Sequence, residues 1–197
     1  MNKKNSAIVL FLLLIAVGIF FFVTQKEQIH KTYSKVSYKI DKVKHMVSSD
    51  YTFQTVRNQT IEMNVADKEF HIKGMEDKIV FLKVFGWDCQ FCKKEIPELI
   101  NLKKELGNSF EVIAVEAQQH TKEESLAEIK KYGVNYHIIS GDDQGEFYAY
   151  LQEKYGWTGI IPLTIVVAKG GKVLAFELGS KSYSLSELMK ASLLRNE

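Results

Sequence analysis

Both cysteines of this 197-residue chain lie in one short stretch, Ile79-Val80-Phe81-Leu82-Lys83-Val84-Phe85-Gly86-Trp87-Asp88-Cys89-Gln90-Phe91-Cys92. The apolar run over 79–85 has the length and β-branched content of a core strand. After Cys92, apolar residues recur at helical spacing until Gly107, which predicts a helix. Cys89 is therefore expected near a helix N-terminus, where unpaired N–H groups and the helix dipole favour negative charge. Because the thiolate is the reactive form of cysteine, this placement favours thiol–disulfide exchange.

Two other interpretations of the cysteine pair stay open from the residues alone. A structural zinc site needs four ligands, and no pair of the available histidines has ligand spacing: His30, His45, His71, His120 and His137. An inert disulfide would gain little from closing so small a loop, because loop-closure stabilisation grows with loop length. Both considerations favour a reactive cysteine pair over a zinc-binding pair or an inert structural disulfide.

With its flanks, the pair resembles the active-site region of the thioredoxin-like TlpA/ResA/CcmG family, through Val84-Phe85-Gly86-Trp87-Asp88-Cys89-Gln90-Phe91-Cys92-Lys93-Lys94-Glu95-Ile96-Pro97-Glu98-Leu99. Glu95 matches the acidic residue that the family carries near the disulfide, and Pro97 matches the proline that kinks the active-site helix. Residues 158–167, followed by 170–174, resemble the family's Gly-x-x-Pro-x-Thr strand and the hairpin after it. The resemblance covers roughly residues 50 to 197.

The resemblance implies an α/β, thioredoxin-like fold, in which helices flank a central mixed sheet. It also implies that Cys89 and Cys92 form a redox-active disulfide that needs no other cofactor. By the same resemblance, Pro162 is a cis proline facing the disulfide, and it leaves the backbone of Ile161 free to pair with an extended substrate segment. We expect the substrate surface around Trp87, Ile161 and Pro162. The alternative for Pro162 is an ordinary edge-strand or turn proline.

Two positions depart from the family pattern, and both bear on the Cys89 thiolate. Asp88 stands where thioredoxins have a tryptophan, and Lys83 stands where they bury an aspartate or asparagine. A unit charge about 6 Å away shifts a thiol pKa by roughly half a unit at the dielectric of water, and by about two units at an effective dielectric near 20. A buried Lys83 would therefore outweigh an exposed Asp88. A Lys83 that extends outward along the strand end would contribute little.

Residues 1–24 are predicted to form a transmembrane signal-anchor. The chain is uncharged from Asn5 to Gln25, and a helix of that length crosses a hydrocarbon core of roughly 30 Å. No small-residue cleavage site or lipid-attachment cysteine follows, so we expect the span to be retained rather than removed as a signal peptide.

The orientation of this span needs a separate argument. Lysines are more numerous after the span than before it, which by counting alone would keep the C-terminal side in the cytoplasm. Large domains that follow a first span are often exported despite such counts, and the resemblance favours export. The domain is therefore expected on the periplasmic or extracytoplasmic side of the cytoplasmic membrane, held by a single span.

Residues 25–48 are predicted to form a basic amphipathic helical stalk. Apolar residues alternate at spacings of four and three, forming a heptad seam: Ile29, Tyr33, Val36, Ile40, Val43 and Val47. The seam suits a coiled coil that makes a homodimer, or a stalk that packs on the domain or on anionic lipid. The stalk contains six lysines and two acidic residues, so its net charge is positive. Residues 49–197 contain 18 basic and 22 acidic residues, so their net charge is negative. A nucleic acid partner is not expected.

Residues 49–197 have the size of one domain with a single core. A hairpin is expected at 61–65 and 68–72, turning at Ala66-Asp67. Beyond the active-site helix, the pattern predicts strands at 110–116, 136–140, 163–167 and 173–178, with helices at 121–131, about 144–154, and 185–194. Thr121 and Glu124 form a capping-box pattern at the start of the first of these helices. The extra helix and strand between Thr121 and Ser140 fit the insertion of TlpA-type proteins.

The leading functional expectation is an enzyme, a thiol–disulfide oxidoreductase that reduces protein disulfides. Cys89 would attack the substrate disulfide and Cys92 would resolve the mixed disulfide, while Glu95, if partly buried, would shuttle a proton. The alternative for Glu95 is a solvated helix residue. By resemblance, the targets include cytochrome c haem-attachment cysteines, and a membrane thiol–disulfide carrier supplies electrons. Competing functions are a disulfide oxidase or isomerase, and a copper or haem handling module with the cysteines as soft ligands.

Overall fold

A computed structural model describes residues 48–142 and 144–194 of the chain. The predicted anchor, and the stalk with its proposed dimer seam, lie outside these residues except for Ser48. That residue does not continue a helix: it begins the first strand and pairs with Ala66. No helix in the described part of the chain is long and apolar enough to cross a membrane.

The described chain alternates strands and helices in an α/β order. The elements are β1 Ser48–Gln54, β2 Thr60–Ala66, β3 Glu69–Ile72, β4 Ile79–Phe85, α1 Gln90–Leu106, a 3-10 turn Gly107–Ser109, β5 Phe110–Glu116, α2 Lys122–Tyr132, β6 His137–Ile139, α3 Gly145–Tyr155, β7 Leu163–Val167, β8 Val173–Leu178 and α4 Leu185–Leu194.

Five strands form the central sheet, in the order β6-β5-β4-β7-β8. β4 pairs in parallel with β5 and antiparallel with β7, so the predicted mixed sheet is confirmed. Because β4 is the middle strand, it is buried on both faces, which explains its almost unbroken apolar sequence. The loop that carries the cysteines leaves the sheet from the end of this strand.

A separate three-stranded antiparallel sheet, β1-β2-β3, precedes the central one. β2 and β3 form the predicted hairpin, with Asp67 in the tight turn at a φ of 54°. β1 was not predicted, although Tyr51 and Phe53 alternate with polar neighbours as in a half-buried strand. It forms because its whole length pairs in register with β2.

The side chains of β4 alternate between two cores. Val80, Leu82 and Val84 face the core shared with α3 and the three-stranded sheet. Phe81 and Phe85 face the core shared with α1, α2 and α4. Because successive residues of a strand point to opposite faces, Lys83 lies on the α1 side.

α1, the helix that contains Cys92, has a capping residue at each end. α1 begins directly after Cys89, which is its N-cap, and ends before Gly107, as predicted. Pro97 lies inside α1. The predicted capping box of α2 is confirmed, because Thr121 and Glu124 bond each other's backbone N–H groups. These caps fix where the loops around the cysteines begin and end.

Candidate active site

Cys89 and Cys92 form a disulfide across the first turn of α1, with their Cα atoms 5.2 Å apart. The Cys89 sulfur also accepts the backbone N–H of Cys92 at 3.1 Å. Cys92 is only 3% exposed, whereas Cys89 is half-buried. A substrate therefore reaches Cys89 first, and the helix N-terminus stabilises negative charge on its sulfur.

The charged end of the Lys83 side chain is buried. Its side chain is 2% exposed, and its Nζ lies 2.6 Å from Glu95 Oε2 on α1. Nζ also donates to the hydroxyl of Thr164 on β7, the residue directly opposite Lys83 in the β4–β7 pair. Of the two orientations open from the sequence, Lys83 adopts the buried one.

Burial is the main influence on the protonation of Lys83. Loss of solvation lowers the pKa of its ammonium, and the Glu95 and Glu98 carboxylates act in the opposite direction. Glu95 lies one helical turn after Cys92, so both side chains lie on the same face of α1. The Lys83–Glu95 ion pair therefore lies on the face of α1 that carries Cys92.

Glu95 is not a fully solvated helix residue, because its side chain is only 15% exposed. It lines a cavity of about 170 Å³ together with Lys94, Glu98, Thr164 and Glu177. The cavity is roomy enough to hold water. The Glu95 carboxylate is therefore open to solvent through this cavity.

Pro162 directly precedes β7, the strand that pairs with β4. The Ile161–Pro162 peptide bond is cis, as expected. Leu163 pairs with Val84 in the antiparallel β4–β7 ladder, so Pro162 lies opposite the point where β4 leads into the cysteine loop. The Pro162 carbonyl accepts the N–H of Gly179 at 2.8 Å, which ties this turn to the end of β8.

The expectation that Trp87 contacts substrate is corrected by its burial. The indole is 1% exposed, packs edge-on against Phe85, and donates from Nε1 to Ser125 Oγ at 3.1 Å. Trp87 therefore links the cysteine loop to α2 from inside the core. Ile161 is half-buried and packs against both cores.

Exposed apolar side chains near the disulfide are found elsewhere. Phe91, between the cysteines, is 53% exposed, and Ile160, two residues before Pro162, is 52% exposed. Lys94 lies over the Phe91 ring, with its Nζ 5.5 Å from the ring centroid. Phe91, rather than Trp87, is therefore the exposed apolar side chain adjacent to Cys89 in the chain.

Metal binding by the cysteines has no structural support in the described residues. No group of three or more His, Cys, Asp or Glu side chains in residues 48–142 and 144–194 is arranged to hold a metal ion. The cysteine sulfurs are instead bonded to each other.

A family model described as the AhpC/TSA family matches residues 49–176. The chain belongs to the AhpC/TSA family. This AhpC/TSA chain is also similar to the thiol-disulfide oxidoreductase ResA of Bacillus subtilis (strain 168), with 28% identity over 122 residues. That match covers 60% of this chain and 63% of ResA, which is less than two-thirds of the relative. The expected relation to TlpA/ResA/CcmG proteins is confirmed.

Solved structures confirm the thioredoxin-like fold of this AhpC/TSA member. The thioredoxin domain of a thiol-disulfide oxidoreductase from Bacteroides vulgatus superposes with a TM-score of 0.54 at 18% identity, covering 77% of this chain and 96% of that one. A DsbF homologue from Corynebacterium diphtheriae gives a TM-score of 0.55 at 21% identity. The match covers 75% of this chain and 84% of that one.

Several residues that complete the site were not singled out from the sequence. Thr164 lay within the quoted proline motif, and its contact with Lys83 follows from strand register alone. Gln118 and His120 lie between β5 and α2 and contact the cysteine loop at Asp88. The Asp88 side chain itself is 74% exposed. No sequence signal linked these residues, because their proximity depends on how β5 and α2 lie beside β4.

Proposed function

We propose that this chain is a membrane-anchored thiol–disulfide oxidoreductase that reduces protein disulfides outside the cytoplasm. One observation carries the proposal: a half-buried Cys89 at a helix N-terminus is bonded to a buried Cys92, one turn from the Lys83–Glu95 pair. This arrangement separates an accessible nucleophile from a shielded resolving thiol. Family membership and the similarity to ResA support the same chemistry.

In the first step, the Cys89 thiolate attacks one sulfur of a substrate disulfide. A new bond forms between Cys89 and that sulfur, the substrate S–S bond breaks, and the departing thiolate takes a proton from solvent. The helix N-terminus supports the thiolate before attack. The exposed side chains of Phe91 and Ile160 provide apolar contact for the substrate segment.

In the second step, Cys92 resolves the mixed disulfide. Its thiol gives a proton to Glu95, and the resulting thiolate attacks the Cys89 sulfur. The Cys89–Cys92 bond forms and the second substrate thiolate leaves, so two electrons pass from the cysteine pair to the substrate. Lys83 stabilises the Glu95 carboxylate that accepts the proton, and the cavity beside Glu95 returns the proton to solvent.

The proposed setting rests on the uncharged segment near the N-terminus and on the family relation. The uncharged segment from Asn5 to Gln25 anchors the domain in the cytoplasmic membrane. A membrane thiol–disulfide carrier returns the pair to the dithiol form. Substrates are disulfides of exported proteins, among them the haem-attachment cysteines of cytochrome c.

Trapping of the mixed disulfide tests this proposal. Cys92→Ala in the full chain should leave Cys89 covalently joined to its substrate, because the resolving thiol is missing. Cys89→Ala is the matched control and should trap nothing. Trapping by Cys89→Ala instead would reverse the roles of the two cysteines.

The position of Cys89 at a helix N-terminus also favours a second function, disulfide oxidation by the same pair. A group that stabilises the thiolate stabilises the reduced form, which makes the disulfide more oxidising. Equilibration of the full chain with glutathione buffers decides the direction. A potential near the roughly −270 mV of thioredoxin supports the reductase, whereas one near −120 mV, as in a dedicated disulfide donor, supports the oxidase.

A further inference from the structure

The loop that carries Cys89 is held by the segment between β5 and α2. The Oε1 atom of Gln118 accepts the backbone N–H of Asp88 at 2.7 Å. Gly86 permits this approach, because a Cβ atom there would lie 2.0 Å from the same oxygen. A side chain at position 86 would therefore have to displace the Gln118 side chain from this contact.

His120, in the same segment, is fixed on one side by a buried carboxylate. Glu116 is 0% exposed, and its two oxygens accept the backbone N–H groups of Gln118 and His120, each at 3.0 Å. His120 Nδ1 lies 3.2 Å from Glu116 Oε1. A carboxylate accepts hydrogen bonds, and Glu116 makes the shorter of the two carboxylate contacts of this ring, so we assign the proton of the neutral imidazole to Nδ1.

The other ring nitrogen of His120 faces the residue before the nucleophile. Nε2 lies 3.4 Å from Asp88 Oδ2, at the distance of an ion pair. With Nδ1–H committed to Glu116, the neutral ring points a lone pair at the Asp88 carboxylate. The protonated ring points an N–H at it instead. The interaction between Nε2 and Asp88 is therefore repulsive for the neutral ring and attractive for the protonated ring.

We propose that His120 is a positioning residue that tunes the Cys89 thiolate through Asp88. When Nε2 is protonated, it draws the Asp88 carboxylate to itself and offsets the negative charge next to Cys89. When Nε2 loses its proton, the uncompensated carboxylate opposes the thiolate. The role of His120 rests on the proposed function in one respect, which is that Cys89 is the attacking thiol.

Three acidic side chains face His120 from different elements. Asp88 faces it from the cysteine loop, Glu116 from β5, and Glu124 from the first turn of α2. Of these, Asp88 is the one next to Cys89 in the chain. An effect that passes from His120 to Cys89 through Asp88 should disappear when Asp88 loses its charge.

The test is the pH dependence of Cys89 alkylation by iodoacetamide in the reduced full chain. The native chain should show two inflections, one from Cys89 itself and one from His120. His120→Gln should remove the second inflection, and below it the rate should fall about threefold, the effect of one unit charge at about 6 Å in water. Asp88→Asn should also remove the second inflection.

His137→Gln is the matched control. His137 is 21% exposed against 19% for His120, and its Nε2 faces another buried carboxylate, Glu111, at the opposite end of β5. The control should keep both inflections. Loss of the second inflection in His137→Gln, or its survival in Asp88→Asn, would overturn the proposal.

A direct titration covers the case in which His120→Gln does not fold. Asp88 is largely exposed, so Asp88→Asn should fold, and the His120 ring signal can be followed by NMR in the full chain. Its midpoint should move to lower pH in Asp88→Asn, because the ring loses an anionic neighbour. An unchanged midpoint would contradict the proposal even if insulin-disulfide reduction confirms the proposed function.

Discussion

The residue with the largest consequence for the site is Lys83. Alternation along β4 fixes its face, but the sequence does not show which acid meets it there. The structure provides Glu95 from α1 and Thr164 from β7. A buried ammonium in this position is tolerated because it has both a carboxylate and a hydroxyl as partners.

Glu95→Gln should destabilise the protein by leaving this ammonium without its anion. Breaking a buried ion pair costs about 3 kcal/mol. Burial already lowers the pKa of Lys83, and loss of Glu95 removes the main opposing influence. The unfolded chain then binds a proton that the folded chain holds weakly, so the loss of stability is largest near pH 7. It should shrink as pH rises towards the unfolded lysine pKa of about 10.4.

Urea unfolding of the native and variant chains at pH 7, 8 and 9 measures this change. Glu105→Gln, an exposed carboxylate on the same helix, should cost less than about 0.5 kcal/mol at each pH. A Glu95→Gln deficit that is the same at every pH would show that Lys83 is not its cause.

At the scale of elements, α2 matters because its first turn supports the cysteine loop. Ser125 in that turn holds the Trp87 indole, and the Thr121 capping box fixes where the turn begins. Thr121→Ala should cost about 1 kcal/mol through loss of the cap. It should also shift tryptophan fluorescence to the red, because fraying of this turn admits water to Trp87.

Ser184→Ala is the matched control for that variant. Ser184 and Glu187 make the same reciprocal bonds at the start of α4, which does not hold Trp87. A similar fall in Tm with unchanged fluorescence is expected. An equal red shift in both variants would show that the effect is not specific to α2.

Glu111 joins three elements at the other end of β5. Its carboxylate lies 3.0 Å from Lys103 Nζ of α1 and 3.7 Å from His137 Nε2 of β6. Burial alone would raise the pKa of Glu111, but the nearby His137 ring, the Lys103 ammonium and the Val112 N–H outweigh it and lower the pKa to about 2. The folded state therefore binds this proton less readily than the unfolded state does.

Acid unfolding should reveal that difference. The stabilisation from Glu111 is complete above the unfolded pKa near 4.3 and is lost as pH falls towards 2. Glu111→Gln should lower the free energy of unfolding by about 1–2 kcal/mol at pH 7, after allowance for solvent screening. The deficit should shrink to less than about 0.5 kcal/mol by pH 2, when measured by denaturant unfolding across this range. Glu123→Gln, exposed on α2, should keep the native profile.

At the scale of the whole molecule, sequence pattern predicted most of the fold of the described residues and the centre of the site. Periodicity located β4, β5, β7, β8 and α4, because strong apolar runs and turn residues mark their ends. It missed β1, whose stability comes from pairing with β2. It also misplaced Trp87 on the surface, since burial of that ring depends on α2, which is distant in the chain.

The position of the whole molecule relative to the membrane is the broadest prediction. If the uncharged segment from Asn5 to Gln25 spans the membrane with its C-terminal side outside, reduced Cys89 should react with a membrane-impermeant maleimide in intact cells. Cys89 and Cys92 are the only thiols, and Cys92 is buried, so Cys92→Ala gives a chain with one accessible label site. A cytoplasmic cysteine protein in the same cells is the control and should label only after permeabilisation. If Cys89 behaves like that control, the lysines that follow the span hold the domain inside, and the substrates must be sought in the cytoplasm.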